Sequence, residues 1–130
     1  MRNRVGAIII KEKRILLTRD QDLDFFSLPG GATEGREDHS SALRRELIEE
    51  LAVEFDSITF YSSYNSFNSR INLPQIDHNY LVSIKKEPIA SGEIAEFKWV
   101  TKEEILSNKV KVFSFFLQQV FPQLVKDNLL

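Results

Sequence analysis

Residues 37–51 contain neither glycine nor proline, and Leu43, Leu47 and Leu51 recur within them at steps of four. On a helix that spacing makes one apolar stripe, which must be covered by a sheet to be stable. Immediately upstream, Phe25-Phe26-Ser27-Leu28 leads into Pro29-Gly30-Gly31, which reads as the end of a strand feeding a tight loop. The glycine pair lets the backbone use positive φ and come close to a ligand where a side chain would obstruct it.

The flanking segments supply strands for the helix to cover. Val5 to Ile10 is apolar and rich in β-branched residues, Lys11-Glu12-Lys13 breaks it, and Arg14 to Thr18 resumes it, so a hairpin is predicted. Ser57 to Tyr64, His78 to Ile84 and Phe97 to Val100 read as further strands, with a polar loop over Asn65 to Asp77. Thr101-Lys102-Glu103-Glu104 has capping-box spacing and predicts a short helix. A last helix is predicted from Val112 to Leu124, which Pro122 should end early. At 130 residues there is room for one domain, 1–130, of the α/β class.

The absence of cysteine excludes disulfides and thiolate metal sites. No apolar run is long enough to span a bilayer, and no secretory signal is read at the N-terminus, so the expected location is the cytoplasm. A net charge of -2 argues against broad electrostatic capture of nucleic acid, so an anionic ligand would need cations as bridges.

The segment from Gly31 to Val53 fixes its charges at set offsets: Gly31, five residues, Glu37, seven residues, Arg45-Glu46-Leu47, one residue, Glu49-Glu50, one residue, Ala52-Val53. A helix rich in Glu and Arg is on its own an ordinary solvated face. The preceding glycines and the apolar positions set this one apart, and the whole segment resembles the Nudix box. The one departure is Ala52, where the family carries glycine.

Helical spacing of three, four and one places Glu46, Glu49 and Glu50 within about a third of the circumference. Carboxylates so close repel one another unless a divalent cation neutralises them. Oxygen ligands without cysteine or a histidine pair favour Mg²⁺ or Mn²⁺. Arg45 stands close enough to Glu46 and Glu49 to aim a carboxylate by a charge-assisted bond.

The resemblance implies a mixed central sheet between helices, an α/β/α sandwich. It also implies hydrolysis of a nucleoside diphosphate linked to a further moiety. Carried onto this chain, Glu46, Glu49, Glu50 and the Gly30 carbonyl would hold the metal, and Glu46 or Glu49 would accept the proton of the attacking water, with Arg45 as orienting residue. Glu37 falls on another side of the helix wheel, near its start, and is expected to support the site from outside the metal's own ligands. The candidates for contact with substrate are Gly31, Glu37, Glu93, Arg70 and Phe26. Glu93 is preferred to Glu96 as a further carboxylate near Trp99, and Arg70 lies in the polar loop with Phe67 and Asn68. For Phe26 core packing is favoured, with stacking on a base as the alternative. His39 and His78 are read as one surface and one partly packed residue.

Signals that mark particular Nudix subfamilies outside the box are absent. What remains is a small nucleotide substrate, first a nucleoside triphosphate and in second place ADP-ribose or a nucleotide sugar. A noncatalytic nucleotide sensor of the same fold is the reading from another class, and it would be expected to have lost glutamates from the box. A homodimer is compatible with the sequence, which carries no direct sign of one.

Overall fold

Both apolar runs of the N-terminal region are strands, but they part company at Ile9. The computed structural model describes residues 1–68 and 70–130 and forms β1 (Arg2–Ile8), β2 (Ile10–Lys11) and β3 (Arg14–Asp20) here. Glu12 and Lys13, at φ 52° and 61°, make the two-residue turn between β2 and β3. The predicted hairpin thus forms only at its tip. Both edges of β1 are taken, antiparallel by β4 (Gly30–Ala32) and parallel by β6 (Leu73–Ile84), so none is left for β3.

The first sheet is mixed, in the order β4-β1-β6-β5, with β5 spanning Phe55–Asn68. The second is antiparallel, β2-β3-β7, with β7 spanning Ile94–Thr101. Helix α1 (His39–Leu51) covers one side. Its Leu43, Leu47 and Leu51 are fully buried against Val5, Ala7, Leu16 and Val82. On the other side Ile8, Ile15, Leu17 and Val100 pack with Ile105 of α2 (Lys102–Leu106) and with Phe116, Val120 and Leu124 of the C-terminal helical stretch. Strands buried on both faces explain why β1 and β3 read as continuous apolar runs. The architecture is the expected α/β/α sandwich with a mixed sheet.

Three boundaries differ from expectation. The polar loop over Asn65 to Asp77 is mostly strand, since β5 and β6 stay paired out to Asn68 with Leu73. Their inward face there carries Ser66, Gln75 and Asp77, so the alternation is present but has no apolar signature. Helix α1 starts two residues late, because Asp38 takes the cap position and accepts the Ser41 N–H at 2.7 Å.

The last helix begins at Ser114, since Val112 instead bridges Phe26. It also runs through Pro122 rather than ending before it. Phe116–Val120 is a π-helical turn closed by the Phe121 N–H to Phe116 O, and α3 (Phe121–Lys126) follows. Widening by one residue gives room for a ring that would otherwise strike the carbonyl four positions back.

Candidate functional site

The glycine loop and the glutamate helix are fastened together by the residue types the sequence singles out. Gly30 has φ 144°, and a Cβ there would lie 2.0 Å from the Val5 carbonyl oxygen. A Cβ on Gly31 would lie 2.5 Å from Glu46 Oε1. Only glycine lets β4 close on β1 while the Glu46 carboxylate lies against its backbone. The Gly30 N–H donates to Glu50 Oε1 at 2.8 Å, a second tie between loop and helix.

Arg45 organises the other side of the helix. Its Nε and Nη2 donate to the two oxygens of Glu37 at 2.8 and 2.9 Å, Nη2 also reaches Ala32 O at 3.1 Å, and Nη1 donates to Glu46 Oε1 at 2.9 Å. Glu49 Oε2 lies 3.6 Å from the same Nη1. The bonds from Arg45, and then the Glu34 N–H, pull the Glu37 carboxyl down to about 2. Glu37 is therefore spent on anchoring Arg45 and is not a wall of the cavity beside it. Its expected place at the substrate gives way to that of a brace.

Glu46 and Glu50 face a cavity of about 320 Å³ that Gly30, Gly31, Glu93 and Arg70 also line. Burial pushes the Glu50 carboxyl up to about 8, against the opposing pull of the Gly30 N–H and Arg4. Glu46 is raised in the same direction by burial, with Arg45 opposing. Glu49 stands apart, its side chain 57% exposed and outside the cavity walls. Among the described residues no three acidic or histidine side chains converge as a ready-made metal cage. Glu50 nevertheless has no ion-pair partner among those residues, and desolvated carboxylates short of a cation are the hard-oxygen donors that suit a divalent ion.

The loop after β6 sets the far side of the site. The Ile89 and Ser91 N–H groups donate to Leu51 O and Glu50 O at 2.9 Å, satisfying carbonyls at the end of α1. Gly92 follows with φ 58°, and a Cβ on it would lie 2.9 Å from Glu49 O. Glu93 then lines the cavity, whereas Glu96 pairs with Arg19 at 3.1 Å. Arg70 donates to Asp22 at 2.7 Å and to Asp20 at 3.3 Å, holding the β5–β6 tip over the acidic end.

Of the two places expected for Phe26, the structure gives it the core. It is buried in the core among Leu17, Leu28 and Phe116, and its neighbour Phe25 lines the cavity instead. One aromatic of an adjacent pair on extended backbone must face each way, and the sequence does not say which. Sequence reading also missed Arg2, Arg4, Tyr64, Gln75, Asp77 and Phe113 among the walls. The available signal was the alternation of Arg2, Arg4 and Gly6 in β1 with that of Gln75 and Asp77 in β6. The two histidines are neighbours, with ring centroids 4.3 Å apart and both half-buried.

Comparison with known proteins gives the same picture. A family model described as "NUDIX domain" matches residues 1–123. An 8-oxo-dGTP diphosphatase of Buchnera aphidicola subsp. Schizaphis graminum is 29% identical over 117 residues, covering 87% of this chain and 83% of that protein. The solution structure of the E. coli ORF135 protein superposes with TM-score 0.76 at 27% identity, over 95% of this chain and 90% of that one. A MutT protein from Methanosarcina mazei Go1 superposes with TM-score 0.82 at 22% identity, over 98% and 94% respectively, a likeness of fold.

Proposed function

The chain belongs to the Nudix domain family, and on that premise we propose that it hydrolyses a nucleoside triphosphate to a nucleoside monophosphate and pyrophosphate in a reaction dependent on Mg²⁺ or Mn²⁺. The observation that carries the reading is the seating of Glu46 and Glu50 against Gly31 and Gly30 in one cavity, which continues onto arginine and aromatic walls. An acidic end suits a cation and phosphates. An aromatic, polar remainder suits a nucleoside.

Glu46, Glu50 and the Gly30 carbonyl would hold the ion from within the cavity, and Glu49 would join them by turning its exposed side chain inward; the ion would offset charge on phosphate oxygens and make bound water more acidic. Glu46 is the residue assigned to the proton of the attacking water. Its Oε1 is held by Arg45, which fixes the carboxylate and leaves Oε2 to receive the proton. The water oxygen bonds to phosphorus, the bridging P–O bond breaks, and the pyrophosphate leaves with the electron pair. Glu37 takes part only through Arg45.

The Buchnera relative's activity on 8-oxo-dGTP supports a triphosphate over ADP-ribose or nucleotide sugars. The test is release of nucleoside monophosphate, with pyrophosphate from the triphosphates and sugar phosphate from the others, across a panel of nucleoside triphosphates, 8-oxo-dGTP, ADP-ribose and nucleotide sugars, with Mg²⁺ or Mn²⁺ and with chelator. Triphosphate turnover lost in chelator is the expected result. Turnover confined to ADP-ribose or sugars would overturn the substrate class, and tight binding without turnover would replace the enzyme with a sensor.

A further inference from the structure

The cavity does not end at the glutamates. Where β1, β5 and β6 run side by side, Arg2 and Arg4 lie in register with Gln75 and Asp77, and Ser66 and Tyr64 lie opposite that same pair. Gln75 is 4% and Asp77 3% exposed, yet both line the cavity. Arg2 Nε donates to Gln75 Oε1 at 3.1 Å, and Gln75 Nε2 donates to Asp77 Oδ1 at 2.8 Å. This chain of bonds orients one carboxylate on an interior strand face. Beyond it, Ser66 Oγ and the Asn79 amide, both buried, make no hydrogen bond of good geometry among the described residues. Of these polar groups Gln75 and Asp77 are the ones that reach the cavity, and a wall of two buried polar side chains, where apolar ones would pack at lower cost, points to a polar ligand.

Part of the remaining wall is aromatic. Phe25 and Phe113 line the cavity and stack on each other at 5.3 Å and 18°, and Phe67, 41% exposed, joins them. Aromatic faces accept a planar heterocycle. A phosphate would be repelled by Asp77, so the phosphates belong at the glutamate end and the base at this one.

We infer that Asp77 reads the nucleobase of the substrate by accepting a hydrogen bond from an exocyclic amino group, joined in guanine by the neighbouring ring N–H, which selects amino-bearing oxo-bases of the guanine or cytosine type over those lacking the amino group. The inference rests on the nucleotide-hydrolase reading above. A carboxylate only accepts, and Gln75 occupies one position on Oδ1, leaving others for donors from the ligand. Arg4 spends Nη2 on Leu28 O at 2.8 Å and keeps further N–H groups for a base carbonyl. Thymine and uracil set a carbonyl on each side of a single N–H, so they would turn oxygen toward Asp77. Adenine carries the amino group but no carbonyl for the arginines.

Two pairs of bases isolate the contact, hypoxanthine being guanine without its amino group and uracil having oxygen where cytosine has it. Binding of dGMP against dIMP, and of dCMP against dUMP, is measured by NMR shift titration in chelator, and hydrolysis of the four matching triphosphates is measured with Mg²⁺. At least one amino-bearing member should be preferred by about tenfold or more. Asp77→Asn, which replaces an acceptor by a donor, should abolish that preference while weakening the amino-lacking partner little. A general loss on both partners in Asp77→Asn marks a structural role and overturns the inference. So does equal treatment of both pairs by the unaltered protein, a result independent of any variant's folding. Hydrolysis without amino discrimination removes the base reader and leaves the hydrolase. Discrimination in binding without hydrolysis of any triphosphate does the reverse.

Discussion

The two ends of α1 handle the same side chain in opposite ways. At the start, the carboxyl of Glu37 is held down to about 2 by two bonds from Arg45 and one from the Glu34 N–H. At the finish, burial lifts the carboxyl of Glu50 to about 8, with the Gly30 N–H as its one hydrogen-bond donor among the described residues. The backbone follows suit. Asp38 caps the first turn with a 2.7 Å bond, whereas Ala52 ends the last in the left-handed region at φ 55°. One end is satisfied and holds the helix in place. The other keeps a desolvated carboxyl and backbone strain where the chemistry is expected.

The largest effect that can break this contrast is chemical. Glu50→Gln and Glu46→Gln should each lower pyrophosphate release by at least about a hundredfold at saturating metal, with a far-UV spectrum unchanged. Glu37→Gln should cost much less, because a neutral amide oxygen still accepts from Arg45. If Glu37→Gln were as damaging as Glu50→Gln, the division into brace and working end would be wrong. Arg45→Ala falls between them, since it frees Glu37 and Glu46 together. It should lower kcat about tenfold to a hundredfold, with loss of roughly 1–3 kcal/mol of stability by urea unfolding.

Stability against pH separates the two ends by sign. Glu50, raised in the folded protein, favours folding most while protonated. Without metal, its contribution declines as pH climbs from about 4.5 to about 8. The slope is at most about 1.4 kcal/mol per pH unit. Glu37, lowered, stabilises above about 4.5, and that contribution disappears as pH drops toward 2. In chelator, Glu50→Gln should flatten the unfolding midpoint across the upper window and Glu37→Gln across the lower one. Identical profiles for the two variants would remove the electrostatic difference between the ends.

Much of α1 was legible because its chemistry constrains residue types. A leucine every fourth position, glycines where a Cβ would lie 2.0 or 2.5 Å from another atom, and three carboxylates beside one arginine allow few substitutes. The polar half of the cavity was not legible. Gln75, Asp77 and Ser66 alternate as a buried strand face should, but they are residues that elsewhere mark loops, and only the pairing of β5 with β6 turns their spacing into a shared surface. Phe25 and Phe26 show the same limit, since strand parity depends on partners distant in sequence. Pro122 reads as a stop because local rules see its missing N–H and not the π-helical turn before it.

Ala52 gives the smallest test of the comparison, and one free of charge. At φ 55° an alanine Cβ crowds its own carbonyl, a cost of about 1 kcal/mol that glycine avoids. The entropy glycine loses on folding returns part of that gain, so Ala52→Gly should stabilise the protein by about 0.5 kcal/mol in urea unfolding. The Ala52 N–H bonds to Ile48 O and Leu47 O, and the Ile89 and Ser91 bonds to Leu51 O and Glu50 O, use backbone alone, so they survive the change. Pyrophosphate release should therefore be unaltered. A drop in turnover accompanying the gain in stability would mean that strain at this cap helps to set the position of Glu50, and that backbone and carboxylate at the working end form one device instead of two.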